Sequence, residues 1–524
     1  MQKQPGKNIV ACSDGTGNSA VKGRGSNVFK LYEAIALNDG NSPEQIAIYD
    51  DGIGTQKFRL LRVATGVAGY GMKRNVRQLY IEISRAYKPG DQIYLFGFSR
   101  GAFTVRMLAG LIATQGLIDC EKASPARLGS LARGAQNRLL RDHLKQALFQ
   151  KLLGNVLSFM VSPWRYDYDH SDFVHSDNEQ PTESAAIRSP ETGVGITFIG
   201  AWDTVNAVGF PIAGLGWIWN KLVYKFTFPD EVLHKRVVAA SHALSLDDQR
   251  GTFHPTTWDE SGCTQNNDQR INQVWFAGVH SNVGGGYPKQ GLSMITLDWM
   301  MSEAELAQPV NAIRFEKQQR SLIRSRANID DKLYDSRAGL AKFYRYAPRE
   351  LSNICSSSKI PVRIHHSVLY RAKESRSDGY TPLNIPQHFE IVGRTTRPSS
   401  RIPIGTVTLQ GPASVTGIAS KRYFLDKVRQ AAQIGFFAIN LPVLFWCISI
   451  FETTSWEPAW YEKSLLCFAS PFDCFARPVA GMWNLLIPLV GLNATLYAAA
   501  IYAEKKTKNH LQEFWHTTEI ELLD

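Results

Sequence analysis

The sequence predicts an α/β fold built on a mainly parallel sheet. Strand-like and helix-like segments alternate through the first 120 residues, and this alternation is typical of parallel strands joined by helical crossovers. The strand-like segments are short, continuous apolar runs, which indicates strands that are buried on both faces. Clusters of glycine and aspartate end these runs, as at Ser13–Asn18, and mark the turns into the next element.

The individual elements follow from hydrophobic spacing. Apolar runs predict strands over Asn8–Cys12, Gln45–Tyr49, Gln92–Phe96, Val194–Ala201 and Asn272–Val279. Apolar residues at helical spacing predict helices over Asn27–Leu37, Asn75–Tyr87 and Ala102–Ile112. Residues 303–415 contain no motif that can be interpreted from chemistry alone.

Residues 120–193 interrupt the alternation and are expected to form a helical cap on an α/β domain that spans residues 1–415. Within them, Ser124–Leu153 has helical spacing, begins with a capping serine and a proline, and interleaves basic residues with leucines. Tyr166–Thr192 is polar and is predicted to be a loop.

The C-terminal residues 416–524 are predicted to form a membrane hairpin. Ala431–Phe451 and Met482–Ala503 contain 21 and 22 residues without a charge, and each is long enough to cross a hydrocarbon core of about 30 Å as a helix. Basic residues cluster outside the two segments, and the loop between them has only two. This asymmetry places the α/β domain and both termini in the cytoplasm, at an inner membrane. The alternative is a buried helical hairpin, because asparagines and prolines lower the hydropathy.

The composition favours an anionic partner. The chain has 58 Lys and Arg against 47 Asp and Glu, which gives a net charge of +11, and its pI is about 9.2. Helix-turn-helix, zinc-finger and RNA-binding signatures are missing, so nucleic acid is not favoured, and the basic residues around the hairpin and cap would face anionic lipid. The seven cysteines form no CxxC pair, and glycines 284–286 lack the lysine of a phosphate loop. We therefore expect no metal and no cofactor.

Gly97–Gly101 (GFSRG) is a GxSxG motif between a predicted strand and a predicted helix. This context is typical of the nucleophile elbow of α/β-hydrolases, in which a strained turn exposes the serine hydroxyl. Ser99 is therefore the expected nucleophile. The alternative is an accidental match in a glycine-rich chain.

A serine nucleophile needs a base, and the base needs an acid that orients it. In α/β-hydrolases these residues follow in the order serine, acid, histidine. Asp203 follows the strand-like run that ends at Ala201, and His280 follows the run that ends at Val279. The sequence thus predicts Asp203 as the acid and His280 as the base.

Other residues compete for these roles. His242 is an alternative base, although it lies in a helical pattern that favours a structural role. Asp247 and Asp248 are alternative acids in a helical or loop context.

The oxyanion hole should consist of two backbone N–H groups. The residue after the nucleophile, Arg100, supplies one, and the loop after the first strand, with Asp14 and Gly15, supplies the other. A simple Asp-Gly turn is the alternative for that loop.

Several motifs together resemble one family. They are Ser13–Asn18 (SDGTGN), Tyr94–Ala102 (YLFGFSRGA), Trp202–Val205 (WDTV), Trp275–Tyr287 (WFAGVHSNVGGGY), Ser241–Leu244 (SHAL), Asp335–Arg337 (DSR) and Tyr380–Asn384 (YTPLN). Their joint occurrence over roughly residues 7–390 resembles the α/β-hydrolase domains typified by type VI secretion phospholipase effectors.

The resemblance implies a serine esterase with Ser99, Asp203 and His280 as its triad and with phospholipids as substrates. It also implies a secretion-system or immunity partner. Many relatives have Asp where this chain has Asn282, and we expect this difference to tune or weaken activity if the carboxylate orients the histidine or binds an ion. The apolar segment Gly209–Phe228 would form a lid or membrane-docking surface together with the basic cap helix, or would pack as an ordinary part of the cap.

The leading hypothesis is a membrane-anchored serine lipase or phospholipase that acts on a lipid acyl ester. One alternative keeps the triad but acts on a small soluble ester or thioester. Another is a non-catalytic membrane protein that uses the fold for interactions. A secreted effector whose hairpin inserts into a target membrane is the alternative to a resident enzyme of the inner membrane.

Overall fold

A computed structural model describes the parts of the chain on which the fold and the site are built. The described residues are 6–15, 25–37, 40, 43–51, 68–151, 173–174, 194–205, 232–260, 270–338, 341, 344, 346–354, 360–374, 380–382, 384–386, 388–393, 405–408, 491, 494–495, 498–499, 501–502, 505–506 and 509.

Nine of the strands among these residues form one sheet. They are β1 Asn8–Ser13, β2 Gln45–Asp50, β3 Gln92–Phe98, β6 Ile196–Trp202, β7 Val237–Ser245, β8 Ile271–Phe276, β9 Val362–His365, β10 His388–Val392 and β11 Gly405–Thr408. Their order in the sheet is β11-β10-β9-β8-β7-β6-β3-β1-β2. All neighbours pair in parallel except β10 and β11. A separate two-stranded sheet joins β4 (Leu117–Ile118) to β5 (Phe173–Val174).

Helices flank the sheet. Those with described residues are α1 Asn27–Ala34, α2 Ala68–Ala86, α3 Arg100–Gln115, α4 Leu128–Lys151, α5 His280–Gly284, α6 Gly291–Ala307, α7 Lys317–Arg326, α8 Leu351–Ile354 and α9 His366–Glu374. A 3₁₀ turn spans Gly251–Phe253. The protein therefore has an α/β fold with a mainly parallel sheet, as the sequence predicts.

The sheet is buried on both faces because its strands are apolar on both. In β3, Ile93 and Leu95 join one buried cluster with residues of α2, α3 and α4. Tyr94 and Phe96, which alternate with them, join a second cluster with residues of α1, α6 and α7. Side chains alternate across a strand, so the continuous apolar run supplies two cores at once.

The strand order determines where a ligand-binding crevice can form at the carboxyl edge of the sheet. From β1 the chain goes to β2 on one side and then to β3 on the other, so the carboxyl ends of β1 and β3 lie at a topological switch point. In open α/β sheets such a point forms the crevice in which ligands bind. The residues that end β1 and β3 are therefore adjacent to any substrate that enters it.

The structure corrects one predicted element and leaves others as predictions. The helical pattern around His242 is wrong, because this residue lies in the buried strand β7. The basic cap helix is present as Leu128–Lys151. The segment Gly209–Phe228 lies outside the described residues. Strands β9 to β11 lie within residues 303–415, where no motif could be interpreted from chemistry alone.

The chain divides into two compact units, Met1–Leu409 with Ile520–Asp524, and Gln410–Glu519. The predicted domain boundary at residue 415 remains a prediction. Among the described residues, no helix is both long and apolar enough to span a bilayer. The first predicted membrane segment, 431–451, and most of the second, 482–503, lie outside that part of the chain.

Candidate active site

Ser99 lies in a strained turn between β3 and α3. Its backbone has φ +58° and ψ −121°, a conformation that non-glycine residues rarely adopt and that costs of order 1–3 kcal/mol. The Ser99 N–H donates to the carbonyl of Trp202 at 3.0 Å. A Cβ on Gly101 would overlap the Ser13 carbonyl, and a Cβ on Gly97 would lie 2.5 Å from the Gly101 oxygen. The two glycines of GxSxG therefore allow the backbone to pack closely around the serine.

His280 connects Ser99 to Asp203. Its Nε2 lies 2.8 Å from the Ser99 Oγ, and its Nδ1 lies 2.5 Å from an Asp203 carboxylate oxygen. These partners fit the neutral tautomer in which Nδ1–H donates to the carboxylate and Nε2 accepts from the serine hydroxyl. The rings of Phe98 and Phe253 lie 4.7 Å and 5.1 Å from the imidazole, so aromatic packing restricts its rotation.

Asp203 is fully buried at the end of β6 and, like Ser99, has a positive φ, of +40°. Its side chain accepts hydrogen bonds from the Ser245 N–H at 2.9 Å and the Ser245 hydroxyl at 3.1 Å. Asp203 is thus held by Ser245, at the end of the neighbouring strand β7.

Arg349 forms a buried, two-pronged ion pair with Asp203. Its two terminal nitrogens lie 2.6 Å and 2.9 Å from the two Asp203 oxygens, and the side chain is only 1% exposed. The same nitrogens donate to the carbonyls of Ser245 and Phe253. This arginine was missed by sequence reasoning, because it lies 146 residues from Asp203 in a segment without a recognisable motif.

The pKa values of His280 and Asp203 suit a general base and the acid that orients it. Burial would raise the pKa of Asp203, but the charge of Arg349 and the hydrogen bonds from His280 and Arg349 outweigh it, and the pKa lies far below its usual value. Burial lowers the pKa of His280 below 6.5, against the opposing effect of Asp203. Asp203 is therefore ionised and His280 neutral at pH 7, the states in which the imidazole can accept a proton.

Comparison with known families identifies the chain. The sequence model of the family described as "T6SS, Phospholipase effector Tle1-like, catalytic domain" matches residues 7–303, over half of the 524 residues. The chain belongs to this family. The matched residues include Ser99, Asp203 and His280, whereas Arg349 lies beyond them.

Three individual relatives are at most 29% identical to this chain. Uncharacterized protein YEL023C of Saccharomyces cerevisiae is 29% identical over 263 residues, which cover 47% of this chain and 32% of that protein. A crystal structure of an uncharacterized protein from Pseudomonas aeruginosa has a TM-score of 0.32 and 18% identity, with 62% of this chain and 49% of that chain covered. A structure of the Tle1 effector bound to the VgrG spike has a TM-score of 0.28 and 16% identity, with 55% and 52% covered. The chain therefore spans about a third to a half of these proteins.

The alternative base, His242, has a structural position. Its Nε2 accepts the Thr204 N–H at 3.1 Å, which fixes the turn that follows Asp203. Burial, together with the charge of Arg106, lowers the pKa of His242 to about 3. The ring is therefore neutral, and it supports the acid rather than the serine.

The alternative acids hold the backbone around His280. Asp247 accepts the Gly278 N–H at 2.6 Å and the Tyr380 hydroxyl at 2.9 Å. Asp248 accepts the His280 N–H at 3.2 Å. Both carboxylates thus fix the loop that carries the imidazole, and Asp203 is the one that contacts its ring.

The predicted oxyanion donors Asp14 and Gly15 require a correction. The Asp14 N–H donates to the Asp50 carbonyl at 3.1 Å, because β1 still pairs with β2 there. The Gly15 N–H donates to the Asp14 carboxylate at 2.6 Å. Neither amide is available to a substrate in this structure. The Arg100 N–H opens α3, where no preceding helical turn supplies a carbonyl.

Asn282 fixes the start of α5. Its side-chain oxygen accepts the N–H groups of Val279 at 3.3 Å and Tyr334 at 3.2 Å, and its NH₂ group donates to the Lys332 carbonyl at 3.1 Å. The last contact needs an amide, which an ionised aspartate would not provide. The effect of Asn282 on activity remains a prediction.

Two motifs beyond residue 303 also brace the site. Ser336 accepts the Gln249 N–H at 3.3 Å. The Asn384 amide donates to the carbonyls of Leu246 at 2.7 Å and Arg349 at 2.8 Å.

Within the described residues, no cluster of three or more His, Cys, Asp or Glu side chains is arranged to hold a metal ion.

Replacing Arg349 by glutamine should lower kcat/KM for ester hydrolysis by about a hundredfold or more, because Asp203 would lose the fork that orients it. The free energy of unfolding should fall by roughly 3–5 kcal/mol, since a buried carboxylate would lose its cation. Arg349→Lys should be intermediate. Urea unfolding at pH 7 and initial rates on a 4-nitrophenyl ester measure both effects.

The matched control is Arg363→Gln in β9. This substitution breaks the ion pair between Arg363 and Glu260, whose charged atoms lie 3.0 Å apart. Arg363→Gln should have a lower free energy of unfolding than the wild type, but the same kcat/KM under conditions in which it is folded. A fully active, fully stable Arg349→Gln variant would contradict the assignment of Arg349.

The pH dependence of kcat/KM should have an acid limb with its midpoint below 6.5, because burial lowers the pKa of His280 and activity requires the neutral ring. Arg250 also lowers this pKa and Asp248 raises it. Arg250→Gln should therefore move the limb to higher pH and Asp248→Asn to lower pH. A midpoint above 7 in the wild type, or shifts of the opposite sign, would show that His280 does not control the limb.

Proposed function

We propose that this chain is a serine hydrolase that cleaves acyl esters of phospholipids. The observation that carries the proposal is the hydrogen-bonded sequence from Ser99 through His280 to Asp203, with distances of 2.8 Å and 2.5 Å. Membership in a family of phospholipase effector domains supports the lipid substrate.

In the proposed reaction the Ser99 Oγ attacks the acyl carbonyl while His280 Nε2 takes the hydroxyl proton. Asp203 stabilises the imidazolium that results, and the Arg100 N–H donates to the oxyanion. His280 then returns the proton to the departing alcohol, which leaves an acyl-enzyme. A water molecule, deprotonated by His280, releases the fatty acid and restores the Ser99 hydroxyl.

The fold supports this proposal through the position of Ser99. The serine follows β3, which lies beside β1 on one side and β6 on the other. A serine on a strained strand-to-helix turn at the carboxyl edge of a parallel sheet is the arrangement of an α/β-hydrolase. Its positive φ separates the hydroxyl from the sheet, so the oxygen can meet a substrate.

Ser99→Ala should reduce fatty-acid release from phospholipid vesicles by at least about a thousandfold, because the substitution removes the nucleophile. The control is Ser325→Ala, since Ser325 lies exposed on α7. Thermal unfolding of both variants should resemble that of the wild type. Full activity of folded Ser99→Ala would contradict the mechanism, and wild-type hydrolysis of 4-nitrophenyl esters without any phospholipid hydrolysis would contradict the substrate class.

We further propose that residues 431–451 and 482–503 form a membrane hairpin. The support is their 21 and 22 uncharged residues and the basic residues that flank them. Family membership also supports delivery as a secreted effector with a secretion-system partner. In that case the hairpin would insert into a target membrane, whereas a resident enzyme would carry it in its own inner membrane.

The hairpin proposal predicts that the chain resists alkaline extraction from membranes. The loop between the two segments contains Cys467 and Cys474, so a membrane-impermeant maleimide should label them from outside intact spheroplasts. A Cys467→Ser, Cys474→Ser double variant is the control and should lose this labelling. Extraction of the chain by alkali, or labelling only after lysis, would contradict the proposed topology.

A further inference from the structure

Arg100 differs from the other arginines around the proposed nucleophile. Arg349 pairs with Asp203 and Arg250 pairs with Asp248 at 2.7 Å. Arg100, the residue directly after Ser99, makes no ion pair with a carboxylate among the described residues, although its side chain is partly buried.

The Arg100 guanidinium is a charged group that burial has partly removed from water. Burial lowers the pKa of its side chain to about 10, and Tyr344 acts in the opposite direction, so the guanidinium remains protonated at neutral pH. Among the described residues Arg100 has no carboxylate partner; a partly desolvated cation in that state is costly, and an anion that reaches it recovers part of that cost. The carboxylates that contact His280 do not serve this purpose, because each has its own arginine.

The geometry of a phospholipid brings an anion to this position. Its phosphate and its acyl esters are carried by the same three-carbon glycerol. When the scissile carbonyl lies at the Ser99 hydroxyl, the phosphate is therefore only a few bonds away. A long side chain on the next residue, at the first position of α3, is suited to reach it. Guanidinium also binds phosphate through two parallel hydrogen bonds, which an ammonium does not reproduce.

We propose that the Arg100 guanidinium binds the phosphodiester of the substrate and so selects phospholipids over neutral glycerides. This inference rests on the proposed function, since it assumes that the ester is cleaved at Ser99. It assigns separate roles to the two parts of one residue. The backbone N–H faces the oxyanion, and the side chain binds the headgroup phosphate.

The first test compares phosphatidylcholine with a diacylglycerol of the same acyl chains, in the same mixed micelles. For Arg100→Gln, the ratio of kcat/KM on phosphatidylcholine to kcat/KM on diacylglycerol should fall roughly 10- to 100-fold, the usual range for a hydrogen bond to a charged group. Arg100→Lys should lower the ratio less. The control is Arg85→Gln, an exposed arginine on α2, which should leave the ratio unchanged. Equal losses on both lipids in Arg100→Gln would overturn the proposal.

A second test needs no hydrolysis. Full-length Ser99→Ala should bind glycerophosphocholine in titration calorimetry, and Ser99→Ala with Arg100→Gln should lose this binding at least tenfold. Inorganic phosphate provides the comparison, because it carries the anion without the glycerol. Binding of inorganic phosphate without binding of glycerophosphocholine would overturn the headgroup assignment.

The two tests separate this inference from the proposed function. If the wild type cleaves neither lipid, the proposed function fails, and the calorimetry still reports whether Arg100 binds a glycerophosphodiester. If the wild type cleaves phosphatidylcholine and Arg100→Gln keeps the same lipid ratio, the proposed function stands and the role of Arg100 is contradicted.

Discussion

The ion pair between Asp203 and Arg349 is the interaction on which the rest of the site depends. A fully buried carboxylate is stable only when it is paired and hydrogen-bonded, and the two contacts of Arg349 together with Ser245 meet this requirement. Asp203 then fixes the Nδ1 side of His280, and the imidazole reaches Ser99 with its other nitrogen. Because Arg349 comes from beyond residues 7–303, the segment after the family match completes the proposed catalytic centre.

The sheet holds the backbone of Ser99 and Asp203 in place. Ser99 and Asp203 follow the neighbouring strands β3 and β6, and both have positive φ values. The Ser99 N–H is bonded to Trp202 of β6, and the Asp203 N–H to Ala243 of β7. Each strained residue is thus anchored to the next strand, so the packed sheet offsets the cost of the strain.

The sequence predicts the residues of the proposed triad better than the residues that support them. Ser99, Asp203 and His280 each follow an apolar strand, and this local signal is visible without any long-range contact. Arg349 gives no such signal, because its role arises only when distant segments pack together. The strand β7 was missed because VVAASHALS has no clear period of two. The sequence also does not show that the amides of Asp14 and Gly15 are already bonded, since their acceptors depend on strand pairing and on a side-chain rotamer.

The central claim is that Ser99 is a nucleophile activated by His280. Peptide mapping by mass spectrometry after treatment with a fluorophosphonate probe tests this claim most directly, because the probe reacts with activated serines and needs no knowledge of the substrate. The account predicts a single phosphonylated serine, Ser99, in the folded wild type, and no adduct in folded His280→Ala. An unlabelled Ser99, or equal labelling when His280 is replaced, would contradict it.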